Sequence, residues 1–203
     1  MSEICSAGCL DWNYKETVEF YNKRRVDLKD KKPNNAHFMC QRLKDKYPKK
    51  VEIITQNVDN LLEKVKCKDV LHLHGFLEEL RCVSCGSIIN IKYDKQDDTN
   101  STCTKCGEKM RPNIVFFGEI APMYEKMYDL LEDCALLVVV GTSGNVIDVN
   151  YLSSYSNYSI LNNLEKSSAI YEENFDKIYY EDANIAYKKI EKDIEDFIRN
   201  GEL

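Results

Sequence analysis

Two C-x-x-C pairs place the strongest constraint on what this 203-residue chain can fold into. Cys82-Val-Ser-Cys85 and Cys103-Thr-Lys-Cys106 are separated by seventeen residues. Each pair bends the backbone so that two sulfurs point to one place, and two such turns supply four thiolates to a tetrahedral Zn²⁺. A zinc ion with four thiolate ligands has no open position for water or substrate. The sequence therefore predicts one structural zinc that stabilises a small module.

The alternatives are that these cysteines are unrelated, or that they form disulfides in a secreted protein. No apolar signal stretch follows Met1, no apolar run reaches membrane-spanning length, and the number of cysteines, nine, is odd. These features favour a reducing cytosol, so we expect a cytoplasmic protein without a membrane partner. The remaining cysteines lack ligand spacing and are expected to be ordinary, partly buried thiols: Cys5, Cys9, Cys40, Cys67 and Cys134.

Length and composition predict one compact domain over residues 1–203, with a small inserted module at about residues 78–112. The chain is 43% hydrophobic and 31% charged, as expected of a globular protein with a core. Its net charge of -6 argues against nucleic acid as a partner, because binding phosphates would require a basic face.

The pattern of apolar residues predicts an α/β domain. Helical periodicity covers residues 14–29, a second helix starts at Pro33-Asn34 and continues to about Tyr47, and further helices are expected at about residues 123–133 and 184–199. Apolar, β-branched runs predict four strands, at residues 51–55, 114–117, 135–140 and 159–161. Uninterrupted apolar runs are typical of parallel strands that are covered on both faces. The expected fold is therefore a doubly wound parallel sheet with the zinc module inserted.

Small and polar residues follow two of these strands, where open α/β sheets bind ligands. Gly141-Thr142-Ser143-Gly144 would offer free N–H groups and two hydroxyls to a phosphate or a ribose, although a glycine after a strand is often only a turn. Gln56-Asn57-Val58-Asp59 would offer amides and a carboxylate to ribose hydroxyls. The alternative there is a polar loop that caps the next helix.

His74 is the candidate general base. It is one of only three histidines in the chain, and it precedes Gly75, which permits close approach of another group. Imidazole titrates near neutrality, as a general base requires. The alternative is a structural histidine within the alternating run Leu71-His-Leu-His74.

Six motifs in order along the chain resemble the sirtuins, a family of NAD-dependent protein-lysine deacylases with a Rossmann-like domain and a small zinc module. The motifs are Gln56-Asn-Val-Asp59, His74-Gly75, the paired C-x-x-C, Arg111-Pro-Asn-Ile-Val-Phe-Phe-Gly-Glu119, Gly141-Thr-Ser143 and Asn163-Leu-Glu165. Together they span most of the chain, and they are far more specific than any one of them alone.

The resemblance implies roles for individual residues. His74 would accept a proton at the ribose, and acylated lysine side chains of proteins would be the substrates. The residues implied for NAD are Gln56, Asn57, Val58, Asp59, Gly141, Thr142, Ser143, Asn163, Leu164, Glu165 and Ala183. The segment Val115, Phe116, Phe117 and Gly118 would pair with the acyl-lysine peptide as an added strand. Phe116 stands where many members have Trp.

A finer resemblance lies in Phe20-Tyr21-Asn-Lys-Arg24-Arg25, which is similar to the desuccinylase-like class of sirtuins. Residues three apart share a helix face, so the Tyr21 hydroxyl and the Arg24 guanidinium could converge on the carboxylate of an acidic acyl group. The alternative is that Tyr21 is a core residue and Arg24 is solvated.

The mechanism implied by the resemblance begins with attack of the acyl oxygen on the ribose carbon as nicotinamide leaves. His74 then deprotonates a ribose hydroxyl, and the acyl group ends on ADP-ribose. We expect His72 to point to the opposite side of this extended segment and to take no part. Mono-ADP-ribosyl transfer would use the same NAD site, and the sequence does not separate the two reactions.

The N-terminus departs from the family pattern. Sirtuins begin with an apolar strand and a Gly-Ala-Gly-x-Ser loop that cradles the NAD phosphates, and Ala7-Gly8 does not replace that loop. One expectation is a misplaced or truncated start, which the intact remaining motifs favour. The other is a catalytically inactive, truncated zinc module with residual peptide or nucleotide binding. Either expectation predicts weak NAD binding and slow turnover by residues 1–203.

Overall fold

The computed structural model describes residues 4–201, which form two compact units. The first unit contains residues 4–32 and 53–124, and the second contains residues 33–52 and 125–201. Each unit has hydrophobic clusters of its own. The prediction of a single domain over residues 1–203 with an inserted module at 78–112 stays a prediction.

The first unit begins with helix α1 (Cys9–Trp12) and helix α2 (Tyr14–Leu28). The second of these confirms the helix predicted at residues 14–29. Its buried face follows the helical spacing of three and four residues, and its members are Thr17, Val18, Tyr21, Asn22, Arg25 and Leu28.

Strand β1 (Ile53–Thr55) and strand β2 (Val70–His72) form a parallel pair, connected through the short helix α4 (Leu61–Lys64). The predicted strand at residues 51–55 is therefore correct but shorter. Both strands are mostly half-buried rather than covered on both faces.

Three antiparallel strands complete the first unit: β3 (Gly75–Cys82), β4 (Ile88–Asn90) and β5 (Met110–Ile114). The predicted strand at residues 114–117 is wrong, because β5 ends where that prediction begins. Phe116 and Glu119 close a turn instead, in which the Glu119 N–H donates to the Phe116 carbonyl at 2.9 Å.

The second unit contains a parallel sheet in the order β6 (Leu136–Val140), β7 (Tyr158–Asn163) and β8 (Lys177–Tyr180). The predicted strands at 135–140 and 159–161 are confirmed, whereas β8 was not predicted. Helices α3 (Asn35–Lys46), α6 (Val149–Ser153) and α7 (Ala183–Asn200) belong to this unit. Helix α5 (Met123–Leu131) begins at the end of the first unit and continues in the second.

Helix α3 starts at the predicted place because Asn34 forms a capping box with His37. Met39 and Leu43 on its apolar face pack against Ala186 and Ile190 of α7. The helix predicted at residues 184–199 is likewise confirmed by α7.

Parallel strand pairs joined through helices, together with a cluster of four cysteines, confirm the predicted fold class: an α/β, Rossmann-like fold with a small zinc-binding module. Over residues 4–201, no helix is both long enough and apolar enough to cross a membrane.

Candidate functional site

The pairing of β1 with β2 brings the loop at residues 56–59 to the segment that carries His72 and the candidate base His74. In the parallel register Thr55 lies opposite His72, so the residues after β1 and the residues after β2 leave the sheet at the same edge. The Leu73 N–H donates to the Thr55 carbonyl at 2.9 Å, which extends the pairing by one step.

His74 is held at both ring nitrogens. Its Nδ1 lies 3.1 Å from the carbonyl oxygen of Gln56, and its Nε2 lies 2.8 Å from the hydroxyl of Tyr124. A carbonyl only accepts hydrogen bonds, so Nδ1 carries the proton and Nε2 carries the lone pair of the neutral ring. The ring is therefore oriented as a general base would be, with Nε2 as the acceptor.

Gly75 permits the close approach that the sequence predicted beside His74. Its backbone is left-handed, with φ of +90°, and a Cβ there would lie 1.9 Å from the carbonyl oxygen of Asn113. Only glycine fits such a position without displacing backbone. The neighbouring His74 carbonyl accepts from the Val115 N–H at 2.9 Å.

His72 also reaches the loop at residues 56–59, contrary to expectation. Its Nδ1 lies 3.2 Å from the Asn57 carbonyl and its Nε2 lies 3.0 Å from a carboxylate oxygen of Glu63. The expectation was wrong because residues two apart in an extended chain point to the same side. The spacing of two residues between His72 and His74 already indicates in the sequence that both side chains point to the same side.

The pKa of His72 is raised above the usual value of 6.5. Burial acts in the opposite direction, but the hydrogen bond to Glu63 and the charge of that carboxylate outweigh it. The two histidines thus anchor the carbonyls of consecutive residues, Gln56 and Asn57, and hold this loop from one side.

The rest of this loop has one contact to β3 and one contact close by in the chain. The Val58 carbonyl accepts from the Leu77 N–H at 2.7 Å, and the Asp59 carboxylate accepts from the Leu61 N–H at 3.0 Å. Asp59 thus makes a turn contact just before α4, whose N-cap residue Asn60 makes no capping hydrogen bond with its side chain. Asn57 is exposed, and its own N–H donates to the Thr55 hydroxyl.

In the second unit, the loop after β6 differs from the expectation of free N–H groups. The N–H of Gly141 donates to the Asn162 carbonyl, that of Thr142 to Asn163 Oδ1, and that of Gly144 to the Thr142 hydroxyl. The Ser143 hydroxyl accepts from the Asn145 N–H at 3.4 Å. Three of the four N–H groups thus donate hydrogen bonds to acceptors within the chain, because the loop folds on itself and on β7.

A cavity of about 240 Å³ opens beside this loop. Its lining includes four residues that the resemblance implies for NAD, namely Gly141, Asn163, Leu164 and Ala183, whereas Thr142, Ser143 and Glu165 do not line it. Sequence reasoning missed the other lining residues, Asn162, Glu181 and Asp182. Asp182 could have been found as a capping residue before α7, since its carboxylate accepts from the Asn184 N–H at 2.7 Å.

The segment predicted to pair with a peptide is itself paired within the first unit. The Phe117 N–H donates to the Cys5 carbonyl at 2.8 Å, and the Phe117 carbonyl accepts from the Ala7 N–H at 2.7 Å. The Phe117 side chain is 67% exposed, whereas Phe116 is buried. Gly118 follows with a left-handed φ of +87°. Pairing of this segment with a peptide stays a prediction.

Tyr21 and Arg24 both lie on α2, but Tyr21 is buried and Arg24 is exposed, as in the alternative of a core Tyr21 and a solvated Arg24. Their convergence on an acyl carboxylate stays a prediction. Tyr21 is buried, stacks on the Phe116 ring with centroids 5.6 Å apart, and places its hydroxyl 3.5 Å from the Cys5 sulfur. Burial raises the pKa of Tyr21, and the charge of Arg24 acts against that rise. Arg24 is exposed, with its guanidinium 5.7 Å from the Phe20 ring centroid.

The four cysteines of the C-x-x-C pairs form one cluster, with all four sulfurs within 4.8 Å of one another. The pairs Cys82 with Cys106, Cys85 with Cys103, and Cys85 with Cys106 have sulfurs 3.4, 3.7 and 3.5 Å apart. Tetrahedral zinc with Zn–S bonds of about 2.3 Å requires sulfurs about 3.8 Å apart, so the cluster fits the ion. The backbone N–H of Cys85 lowers the pKa of Cys82 to about 6, which favours the thiolate that binds metal.

Comparisons with known proteins identify the family of this chain. The model of the Sir2 family matches residues 4–148. A protein of Campylobacter jejuni (strain RM1221) named "NAD-dependent protein deacylase" is 48% identical over 202 residues, which cover 99% of this chain and 85% of that protein.

Solved structures share the fold. A Sir2 homologue in complex with NAD has a TM-score of 0.83 at 24% identity, covering 96% of this chain and 77% of the other. Sir2Tm bound to a propionylated peptide has a TM-score of 0.79 at 24% identity, covering 96% of this chain and 84% of the other.

The cysteine cluster predicts one Zn²⁺ per chain. Replacing Cys82 and Cys103 by Ser should remove the ion and destabilise the fold, because each C-x-x-C pair loses one thiolate. Elemental analysis of the purified protein and thermal unfolding measure both effects. The matched control is the double variant Cys40→Ser and Cys134→Ser, which should retain the metal. Stoichiometric zinc in the first variant would contradict the assignment.

The raised pKa of His72 predicts a pH-dependent contribution to stability. A histidine whose pKa rises on folding stabilises the fold below its unfolded pKa, and that stabilisation is lost as the pH rises through the folded pKa. His72→Gln should therefore lower the melting temperature more at about pH 5.5 than at about pH 8.5. In a Glu63→Gln background, the loss in melting temperature caused by His72→Gln should differ less between the two pH values. A loss that is constant or larger at high pH would exclude the ion pair as its cause.

Proposed function

Because this chain belongs to the Sir2 family, the sirtuins, we propose that it is an NAD-dependent protein deacylase. It moves acyl groups from lysine side chains of proteins to ADP-ribose and releases nicotinamide. The Campylobacter relative of that name matches almost the whole chain. The alternative of an inactive module is not favoured.

The observation that carries this proposal is the arrangement around His74. Its proton lies on Nδ1, at the Gln56 carbonyl, so Nε2 carries the lone pair that a base requires. Proton transfer to a positioned base contributes about 10²–10⁴-fold to a rate. A ribose hydroxyl is a suitable donor, since it becomes a nucleophile when its proton is removed.

In the proposed sequence of steps, the acyl oxygen attacks the ribose carbon of NAD as nicotinamide leaves. The ribose hydroxyl then loses its proton toward His74 and attacks the acyl carbon, and the bond from that carbon to the lysine nitrogen breaks as the amine leaves with a proton. Water adds to the acyl carbon and breaks its bond to the first oxygen, so the acyl group ends as an ester on ADP-ribose. The loop at residues 56–59, anchored by His72 and His74, would position the ribose that carries nicotinamide.

We assign the rest of NAD to residues of the second unit. Gly141, Asn163, Leu164 and Ala183 line the cavity there, and the Asn163 amide holds Thr142 through two hydrogen bonds of 2.9 and 2.8 Å. We infer that Asn163 acts by shaping the loop. Thr142, Ser143 and Glu165 would contact the cofactor from the rim.

The zinc cluster has a structural role in this proposal. It connects the end of β3 to the loop before β5 through Cys82, Cys85, Cys103 and Cys106, and it supplies no group to the reaction. We propose a cytoplasmic location, because the four zinc ligands must be reduced thiolates to bind the ion.

We further propose that acidic acyl groups such as succinyl are preferred. Among the described residues, the Arg24 guanidinium has no carboxylate partner, and it acts electrostatically on the Tyr21 hydroxyl. A guanidinium without a partner is suited to a carboxylate, which it binds through paired hydrogen bonds. Arg25 cannot take this role, since it is fully buried and donates to the Leu77 carbonyl and to Asn22.

The deacylase proposal predicts dependence on both NAD and His74. With NAD in large excess, the protein should release nicotinamide in step with loss of acyl groups from acetylated or succinylated lysine peptides. His74→Ala should reduce deacylation by at least about 10²-fold. His37→Gln is the matched control, because His37 lies in the capping box of α3, where Gln is also accepted. Deacylation by His74→Ala at the wild-type rate would refute the assignment.

The acyl preference predicts a selective effect of Arg24→Met. Loss of a charge-assisted hydrogen bond costs about 1.5–3 kcal/mol, which corresponds to roughly tenfold to hundredfold in kcat/KM for a succinylated peptide. Acetylated peptides should be affected much less, since they offer no carboxylate. Lys23→Met controls for the loss of a neighbouring exposed charge. Equal losses on both peptides would show that Arg24 is structural.

A further inference from the structure

Tyr124, in the first turn of α5, contacts the acceptor nitrogen of the proposed base. Its hydroxyl lies 2.8 Å from His74 Nε2, and the two rings are tilted at 46° with centroids 5.8 Å apart. Both residues belong to the first unit. Neither the proposed function nor the family motifs assign a role to this tyrosine.

The direction of this hydrogen bond follows from the other side of the ring. The Gln56 carbonyl can only accept, so it requires the proton on Nδ1 and leaves Nε2 with a lone pair. The Tyr124 hydroxyl must therefore donate. The distance of 2.8 Å between the phenol oxygen and Nε2 is that of a well-formed hydrogen bond.

This contact changes how a ribose hydroxyl can reach the base. The imidazole nitrogen has one lone pair in the plane of the ring, and Tyr124 occupies it. The phenol oxygen has two lone pairs, so it can accept a hydrogen bond from a substrate hydroxyl while it donates to His74. The connected path from the substrate to Nε2 in this arrangement passes through the phenol oxygen.

We propose that Tyr124 is a proton relay between the ribose hydroxyl and His74, an inference that rests on the proposed function. The ribose O–H bond breaks and a new phenol O–H bond forms, while the original phenol O–H bond breaks and the Nε2–H bond forms. The tyrosine ends the step unchanged. The electron pair released on the ribose oxygen attacks the acyl carbon.

Concerted transfer suits a phenol. Its ordinary pKa of about 10 disfavours a free phenolate at neutral pH, and passing one proton on while receiving another avoids that species. After the step, the charged imidazolium donates from Nε2 to the phenol oxygen, so the hydrogen bond persists with its direction reversed.

The position of Tyr124 is set by the chain on its N-terminal side. The Tyr124 N–H donates to the Ala121 carbonyl at 3.2 Å. Glu119, just before this turn, is fixed by two hydrogen bonds from Arg111 of 2.6 and 3.0 Å. The hydroxyl is thus presented to His74 from an anchored segment.

The competing interpretation is that Tyr124 only occupies Nε2 until the ribose hydroxyl displaces it. The two interpretations predict opposite effects of removing the hydroxyl. A relay is lost in Tyr124→Phe, so acyl transfer slows. A placeholder is removed by the same change, so acyl transfer is unaffected or becomes faster.

The test compares two reactions of wild type and Tyr124→Phe, which keeps the ring and removes the hydroxyl. Exchange of labelled nicotinamide into NAD reports the first step, which needs no base. Loss of the acyl group reports the whole sequence. We expect exchange within about twofold of wild type and deacylation lowered about tenfold or more. Tyr14→Phe is the matched control, since it removes a hydroxyl bonded to the Met110 carbonyl at 2.7 Å.

Each other outcome overturns the relay. Unchanged or faster deacylation would identify a placeholder, and equal losses in both reactions would identify a structural residue. A wild-type protein that neither exchanges nicotinamide nor deacylates would refute the proposed function together with the relay. An active wild type with an unaffected Tyr124→Phe variant would refute the relay alone.

A measurement without substrate checks the contact itself. In ¹⁵N spectra of the histidines, His74 should show a protonated Nδ1 and an acceptor Nε2, and the Nε2 resonance should move in Tyr124→Phe. A His74 ring protonated at Nε2 would contradict the proposed direction of the hydrogen bond.

Discussion

The hydrogen bond from His74 Nδ1 to the Gln56 carbonyl determines how the His74 ring can act as a base in the first unit. It fixes which nitrogen carries the lone pair, and everything that can happen at Nε2 depends on it. The acceptor is a backbone carbonyl, so its position is set by the pairing of β1 with β2 rather than by a side chain. Two strands of three residues each thereby orient the proposed base.

Such short strands require support from their surroundings, and they receive it from His72 and Gly75. His72 holds the Asn57 carbonyl and is itself held by Glu63, so the loop after β1 is anchored at two consecutive carbonyls. Gly75 lets the Asn113 backbone approach so closely that the His74 carbonyl pairs with the Val115 N–H. The base is therefore fixed at its ring by one segment and at its backbone by another.

Local spacing in the sequence predicted what depends on local structure. The four zinc ligands, the buried face of α2 and the start of α3 follow from intervals of three or four residues and from a capping side chain. The N–H groups of the loop after β6 could not be predicted, because their acceptors lie on the loop itself and on β7, twenty residues away. The contact of Tyr124 with His74 could not be predicted for the same reason, since the two residues lie fifty positions apart in the chain.

The resemblance placed Tyr21 and Arg24 correctly on one helix, but periodicity could not say how Tyr21 is used. Its ring stacks on Phe116, and the Arg111 guanidinium lies 4.2 Å from the centroid of that phenylalanine. The aromatic stack therefore connects α2 to the segment at residues 115–119, and the ion pair of Arg111 with Glu119 connects that segment to β5. A smaller ring at position 116 than the Trp of many sirtuins still completes this stack. Any change in Phe116 would thus act on α2 and on the segment at residues 115–119 together, because Tyr21 and Phe116 belong to one cluster of buried contacts.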